Sequence, residues 1–155
     1  MNGYAQTVLG PVYADELGIT MMHDHLLAEL RCLFDEPEDP EERILAKAPI
    51  TMETLTRVHM NWAGSLDNLV LSDPDLAIKE ATLFKKAGGG TIVDVTNIGL
   101  GRNPKSLRYI AEQTGLHIIM GASYYHAFFH PPDMDNKNED QICREIVSDI
   151  SDGVD

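Results

Sequence analysis

The chain has 155 residues, 43% of them hydrophobic, and is long enough for one ordinary domain with a buried core. Its 25 acidic residues outnumber its 12 basic ones, which gives a formal net charge of −13. Such a charge repels phosphate backbones and anionic lipid, so neither nucleic acid nor a membrane is expected as a partner.

The cysteines and the N-terminus indicate where the protein works. Cys32 and Cys143 lie far apart, without the paired spacing of a zinc ribbon, and are expected to be free thiols in a reducing compartment. The first residues lack a basic start and an apolar core, and no later apolar run is long enough to cross a bilayer. We therefore expect a soluble cytoplasmic protein.

The first half of the chain predicts few regular elements. An acidic, proline-broken segment (35–42) is expected to be a solvated loop, the alternative being an interaction patch. The elements expected around it are a strand over 18–23, a short helix over 26–34, a helix over 51–61 and an irregular connection over 62–71.

The second half alternates helices and strands. The predicted elements are a helix capped by Ser72 with Pro74 in its first turn and ending before Gly88, a strand over 91–96, a helix from Asn103-Pro104 to Thr114 closed by Gly115, a strand over 116–122, and a helix from about Asn138 with Gln141 completing a capping box. The glycine triplet 88–90 precedes a strand, so we interpret it as a helix exit and not as a phosphate cradle.

This alternation predicts the α/β class, with parallel strands covered by helices. Polar or aromatic groups follow each strand, at the sheet edge where α/β enzymes build their sites: His23, Asp24 and His25, then Thr96 and Asn97, then Tyr124, Tyr125 and His126. Three strands do not close an eight-stranded barrel. The sequence is compatible with either an open sheet or the front part of a longer barrel.

His23 and His25 are the candidate metal ligands. Residues i and i+2 of a strand share a face, so their imidazoles would converge on one point, and imidazole nitrogen is a good zinc ligand. The alternative is a strand-end pair that makes ordinary hydrogen bonds. Asp24 should point the other way and be a structural group or one that supports the ligands, not a ligand itself. His126 and His130 lie in a proline-containing loop that does not align them as a second pair.

The turn 99–103 allows two interpretations. Arg102 with its neighbouring glycines could hold an anion at the start of the following helix. More often such an arginine pairs with a nearby carboxylate, and that is the interpretation we favour.

Several segments carry a resemblance to a known family. The segment 18–20 with His23 and His25, and the segments 66–69, 90–96, 99–102 and 114–115, are similar to blocks of the phosphotriesterase family of the amidohydrolase superfamily, in the family's order. The resemblance covers nearly the whole chain. It implies that residues 1–155 are an incomplete hydrolase barrel domain, about three β/α units from the N-terminal part of a (β/α)8 TIM barrel.

The resemblance also implies a site. In the family two divalent metal ions, most often zinc, hold a bridging hydroxide that attacks an ester, lactone or phosphotriester. His23 and His25 match the pair that binds one metal, while the bridging lysine, two further histidines and the proton-shuttling aspartate belong to strands beyond this chain. Tyr125 matches a tyrosine of some lactonase-like members that lines the substrate pocket. The preceding turn, 121–123, has a serine where glycine is common.

We accordingly expect a metal-dependent hydrolase of small ester or lactone substrates, a lactonase or carboxylic esterase rather than a dedicated phosphotriesterase. The resemblance further suggests a homodimer for the full-length protein, and the 155 residues alone should be inactive. One alternative is a half-barrel binding or assembly module that pairs its open sheet edges with a partner. The other is a different α/β enzyme that binds a phosphorylated ligand at the Arg102 turn.

Overall fold

The computed structural model describes residues 3–154. The strands are β1 (Tyr4–Thr7), β2 (Gly10–Tyr13), β3 (Ile19–Asp24), β4 (Ala28–Glu29), β5 (Val70–Leu71), β6 (Gly89–Asp94) and β7 (His117–Met120). The helices are α1 (Pro40–Lys47), α2 (Leu55–Met60), α3 (Pro74–Lys86), α4 (Pro104–Thr114) and α5 (Glu139–Ser151). The described residues form two compact units, one of residues 3–27 and 73–154 and the other Ala28–Ser72.

The first unit is built on a parallel sheet in the order β3-β6-β7. Its central strand is buried, as the β-branched run over 91–96 predicts. The core lies between the sheet and helices α3 and α4 and contains Leu27, Ala77, Ala81, Ile92, Leu107, Ile110, Ala111, Leu116 and Ile118. The predicted α/β class and its three parallel strands are therefore confirmed.

The sequence did not predict the antiparallel hairpin of β1 and β2 that precedes this sheet. Its strands are only 4 residues each and contain one buried residue, Thr7, so neither carries the run of buried apolar residues that marks a longer strand. The N–H of Val8 donates to the C=O of Ile118 at 2.9 Å, which holds the hairpin end against β7.

The helix ends of this unit follow the capping signals closely. The Asn103 side chain accepts from the Ser106 N–H, Gly115 ends α4 with φ +64°, and Asn138 and Gln141 form the predicted capping box. One prediction was wrong: α3 is capped by Asp73, not Ser72. The Asp73 carboxylate accepts from the N–H groups of the two residues after Pro74, a stronger charged cap.

The glycine triplet acts as predicted, at the exit from α3. Gly88 has φ +99°, a left-handed conformation that leads from α3 toward β6. Gly90 lies against the two residues before β3, where an added Cβ would come within 2.3 Å of the Leu17 carbonyl oxygen. Only glycine lets the two backbones approach this closely.

The predicted helix over 26–34, most of which lies in the second unit, is wrong. Ala28–Glu29 is instead strand β4, paired antiparallel with β5, and Arg31–Leu33 is a short 3₁₀ turn. The N–H of Leu30 donates to the C=O of Leu69 at 2.8 Å. A partner nearly forty residues away thus takes the hydrogen bond that a local helix would have used, which a short window cannot reveal.

The acidic segment of this unit is not wholly a loop. Helix α1 begins at Pro40, and the Asp39 carboxylate accepts from the N–H groups of Glu41 and Glu42 at 2.9 and 3.0 Å. The sequence contains a helix start signal here that the prediction of a loop did not take into account. It consists of an aspartate cap, a first-turn proline and acidic side chains near the positive helix end.

The predicted helix over 51–61 is also shorter in the structure. It is reduced to α2, because Thr51 and Thr54 hydrogen-bond each other in a preceding turn.

Among the described residues, 3–154, no helix combines the length and apolar character that crossing a bilayer requires.

Candidate metal centre

The two candidate ligands lie at the carboxyl end of β3. His23 is within the strand and exposed, and His25 follows its last residue and is partly buried. Their ring centroids are 5.7 Å apart, with the rings inclined at 76°. The structure thus brings the two predicted ligands together.

A bulge in β3 modifies the alternation on which that prediction relied. Met21 is paired with Ile92 and Asp24 with Asp94, so β3 uses three steps where β6 uses two. Such a bulge locally re-aims side chains and is common beside active sites. Met22, in the bulge, is 70% exposed.

Asp24 has a structural role, as predicted. Its carboxylate oxygen Oδ1 accepts from the backbone N–H of His25 at 2.8 Å, and its carbonyl accepts from the Val95 N–H at 2.9 Å. The residue between the two histidines therefore holds the backbone of the second one.

Asp94, at the end of β6, is a residue of the candidate site that sequence reasoning missed. It is 0% exposed, and its two carboxylate oxygens accept from the N–H groups of Leu26 and Thr96, each at 2.9 Å. Burial raises the pKa of the Asp94 carboxyl, while these two hydrogen bonds and nearby His25 oppose that rise. An acidic residue inside an apolar strand beside the histidine strand was the available signal.

Thr96 links β6 directly to the second histidine. Its hydroxyl lies 2.9 Å from His25 Nδ1 and donates to the Leu27 C=O at 2.9 Å. Thr96 is 1% exposed. The side chain was noted in the sequence as a polar group at a strand end, and the structure gives it a specific partner.

Tyr125 lies on the loop after β7 and is 58% exposed. Its ring packs on Phe129, with centroids 5.4 Å apart, and its C=O lies 3.1 Å from His130 Nε2. Because β7 runs parallel to β3, the loop leaves from the same sheet edge as the histidines, two strands or roughly 10 Å away at the usual strand spacing. Its substrate role stays a prediction.

The same loop is attached to α5 by a charged cluster. The Tyr124 hydroxyl donates to Glu145, and Lys137 Nζ donates to both Glu145, at 2.9 Å, and the Tyr124 hydroxyl, at 3.1 Å. The hydrogen bond from Tyr124 and then that from Lys137 lower the pKa of Glu145, and Glu145 in turn raises the pKa of Lys137. Tyr124, Lys137 and Glu145 thus bond one another and hold the loop against α5.

Arg102 pairs with a carboxylate, which is the interpretation that the sequence analysis favours. Its guanidinium is paired with Asp149 of α5 and donates to the Gly121 C=O at 3.2 Å, and the Arg102 and Asp149 side chains are only 10% and 18% exposed. The prediction of a carboxylate partner is confirmed. An anion at this turn would have to compete with a buried ion pair.

The histidine pair is one side of a possible centre. Within residues 3–154, no group of three or more histidine, cysteine or acidic side chains is arranged to hold a metal ion. Two imidazoles are half of a tetrahedral zinc shell.

Comparison with known proteins identifies relatives along the whole chain. The Phosphotriesterase family model matches residues 3–155. An N-acetyltaurine hydrolase from Danio rerio is 38% identical over 156 residues, which cover all of this chain and 44% of the relative. The chain therefore spans less than half the length of the curated relatives it matches.

Solved structures agree with the fold. A resiniferatoxin-binding protein from Rhodobacter sphaeroides matches with a TM-score of 0.91 and 40% identity, over 99% of this chain and 44% of that one. A lactonase from Listeria monocytogenes matches with a TM-score of 0.69 over 98% of this chain and 43% of its own, and its 19% identity shows the fold alone. The sheet and its helices are thus part of a (β/α)8 barrel, as expected, and the chain belongs to the phosphotriesterase family.

Proposed function

We propose that this chain is part of a metal-dependent hydrolase in which His23 and His25 bind one of two zinc ions. The observation that carries the proposal is the pair of imidazoles 5.7 Å apart at the carboxyl edge of a parallel sheet. Membership of the phosphotriesterase family supports it.

The described geometry fits a shared ion. Zinc–nitrogen bonds of about 2.0–2.1 Å put the centroids of two neighbouring imidazole ligands roughly 5 to 6 Å apart, which includes the observed separation. Thr96 engages Nδ1 of His25 and leaves Nε2 without a protein hydrogen bond among the described residues. His23 is exposed, so it is accessible to an ion in the barrel mouth.

Each residue of this edge has a distinct task in the proposal. Divalent ions, when bound, supply an activated water and polarise the bond to be cleaved. His23 and His25 hold one ion, Asp24 and Asp94 fix the backbone around His25, and Tyr125 offers an exposed aromatic face to the substrate. The family resemblance implies that the further ligands come from later strands of the barrel.

The relatives refine the substrate class. The sequence alone suggests an ester or lactone. Several relatives at 35–38% identity are N-acetyltaurine hydrolases, whereas the lactonase is 19% identical. We therefore place an N-acyl amide of a small acidic amine first, and a lactone or carboxylic ester second, with a phosphotriester behind both.

Location and assembly remain predictions. Cys32 and Cys143 are free and exposed, which supports a reducing, cytoplasmic setting. The homodimer rests on the family resemblance.

The test is hydrolysis by the purified product of the intact gene. N-acetyltaurine, an N-acetylated amino acid, a γ-lactone and a nitrophenyl phosphotriester are assayed in parallel by release of amine, acid or phenol. Each assay is run as purified, after complete removal of metal by a chelator, and after return of Zn²⁺. We expect N-acetyltaurine to be cleaved fastest, the activity to disappear with the metal, and Zn²⁺ to restore it.

Two results would contradict the proposal. The first is full activity after metal analysis shows the protein to be free of divalent ions. The second is the absence of hydrolysis of all four substrates by folded, metal-loaded protein. Preference for the lactone would keep the hydrolase and reverse our order of substrates.

A further inference from the structure

The contacts of the Thr96 hydroxyl determine where its hydrogen lies. A hydroxyl carries one hydrogen and two acceptor lone pairs, and a backbone carbonyl can only accept. The Leu27 C=O, 2.9 Å away, is such an acceptor, so the hydroxyl hydrogen is directed to it. Toward His25 Nδ1, also at 2.9 Å, the same oxygen must then act as an acceptor.

This assignment places a hydrogen on His25 Nδ1. In neutral imidazole one nitrogen carries the hydrogen and the other has the free lone pair. With the hydrogen on Nδ1, the lone pair is on Nε2, at the far end of the ring. The opposite tautomer is the common one for a free histidine side chain and would leave Nδ1 facing the oxygen lone pairs of Thr96.

The surrounding backbone prevents Thr96 from moving away from this position. The Thr96 N–H donates to Asp94 Oδ1, and the Leu26 N–H, next to His25, donates to the other oxygen of the same carboxylate, both at 2.9 Å. Asp94 and Thr96 are 0% and 1% exposed, so water does not compete for these bonds. One buried carboxylate thus joins the two strand ends that carry the histidine and its partner.

We propose that Thr96 is a positioning residue that holds His25 in the Nδ1–H tautomer, with Nε2 free to bind metal. This inference depends on the proposed function for the role of the metal, but the tautomer itself does not. Hydrogen-bond partners of metal-binding histidines commonly fix the ring in this manner, and their loss weakens metal binding about 10- to 100-fold.

The first test observes the tautomer without any metal. Histidine labelled with ¹⁵N is introduced into the product of the intact gene, metal is removed, and long-range ¹H–¹⁵N spectra are recorded at about pH 8, where imidazole is neutral. The His25→Gln spectrum identifies the His25 signals. We expect the protonated nitrogen to be Nδ1, and a wild-type protein with Nε2 protonated would overturn the proposal.

The second test compares two substitutions of Thr96. Thr96→Ser keeps the hydroxyl, whereas Thr96→Val keeps the shape and removes it. In competition with a chelator of known zinc affinity, we expect Thr96→Val to bind zinc about 10- to 100-fold more weakly and Thr96→Ser to stay near wild type. Wild-type affinity and an unchanged tautomer in Thr96→Val would overturn the proposal.

A matched control separates this inference from the proposed function. If His25→Ala retains all of its metal, the metal role of His25 fails, and the proposed function fails with it. If His25→Ala loses metal but Thr96→Val does not, only the role of Thr96 fails. Should Thr96→Val not fold, the wild-type spectrum and Thr96→Ser still decide the tautomer.

Discussion

At the scale of single residues, the chain shows one conformational cost beside the candidate site. Ser123, in the turn after β7, has φ +87°, the only positive φ among the non-glycine residues described. The left-handed region costs a residue with a Cβ about 1–2 kcal/mol. The family resemblance noted in the sequence implies glycine at this position.

Replacing Ser123 by glycine should therefore stabilise the protein. Relief of about 1–2 kcal/mol of left-handed strain outweighs the added freedom of the unfolded chain, which costs about 0.4–1 kcal/mol, so we expect a net gain of up to about 1.5 kcal/mol. Thermal unfolding of the intact gene product measures it. Ser123→Ala is the control, since it removes the hydroxyl and keeps the Cβ. An equal rise in both variants would refute the backbone explanation.

Single residues also show what sequence could and could not predict about the site. The histidine pair was predictable because its two members are two positions apart in sequence and need only one strand. The roles of Asp94 and Thr96 were not, because each depends on a partner about seventy positions away. The bulge in β3 is a property of strand pairing and leaves no mark in the spacing of the histidines.

At the scale of elements, the predictions succeeded where the chain signals its own boundaries. Helices α4 and α5 begin at asparagine caps and were predicted almost to the residue. The segment 26–34 failed because pairing with β5 overrides its local preference for helix. Local chemistry fixes helix ends, whereas short strands depend on distant partners.

The contact between the Arg102 turn and α5 provides a prediction at this scale. Removing one member of a largely buried ion pair leaves the other charge without its partner, at about 3 kcal/mol. We expect Asp149→Leu and Arg102→Met each to lose about that much in urea unfolding, and the double variant to lose clearly less than the sum.

The exposed pair Arg108 and Glu112 is the control for this prediction. Its side chains are 64% and 45% exposed, so Arg108→Met should change the free energy of unfolding by less than about 0.5 kcal/mol. Strict additivity in the Arg102 and Asp149 variants, or an equal loss in Arg108→Met, would show that burial of the pair does not matter.

At the scale of the whole molecule, the chain matches 44% of the length of its relatives, and its sheet has β3 and β7 as outer strands. The α/β class and the functional sheet edge followed from the alternation of elements. The further ligands that the proposed metal centre requires did not, because a barrel collects such groups from strands that follow one another over its full circumference. The described residues therefore form one side of the proposed site.

The most direct test of the proposed metal centre is the metal content of the intact gene product and of three single variants. His23→Ala and His25→Ala remove the proposed ligands, and His126→Ala removes a histidine of the loop after β7 that makes no part of the proposed centre. Metal per folded chain is measured by elemental analysis, with circular dichroism confirming the fold. We expect both ligand variants to lose metal and His126→Ala to keep the wild-type content. Wild-type content in folded His23→Ala and His25→Ala would contradict the account.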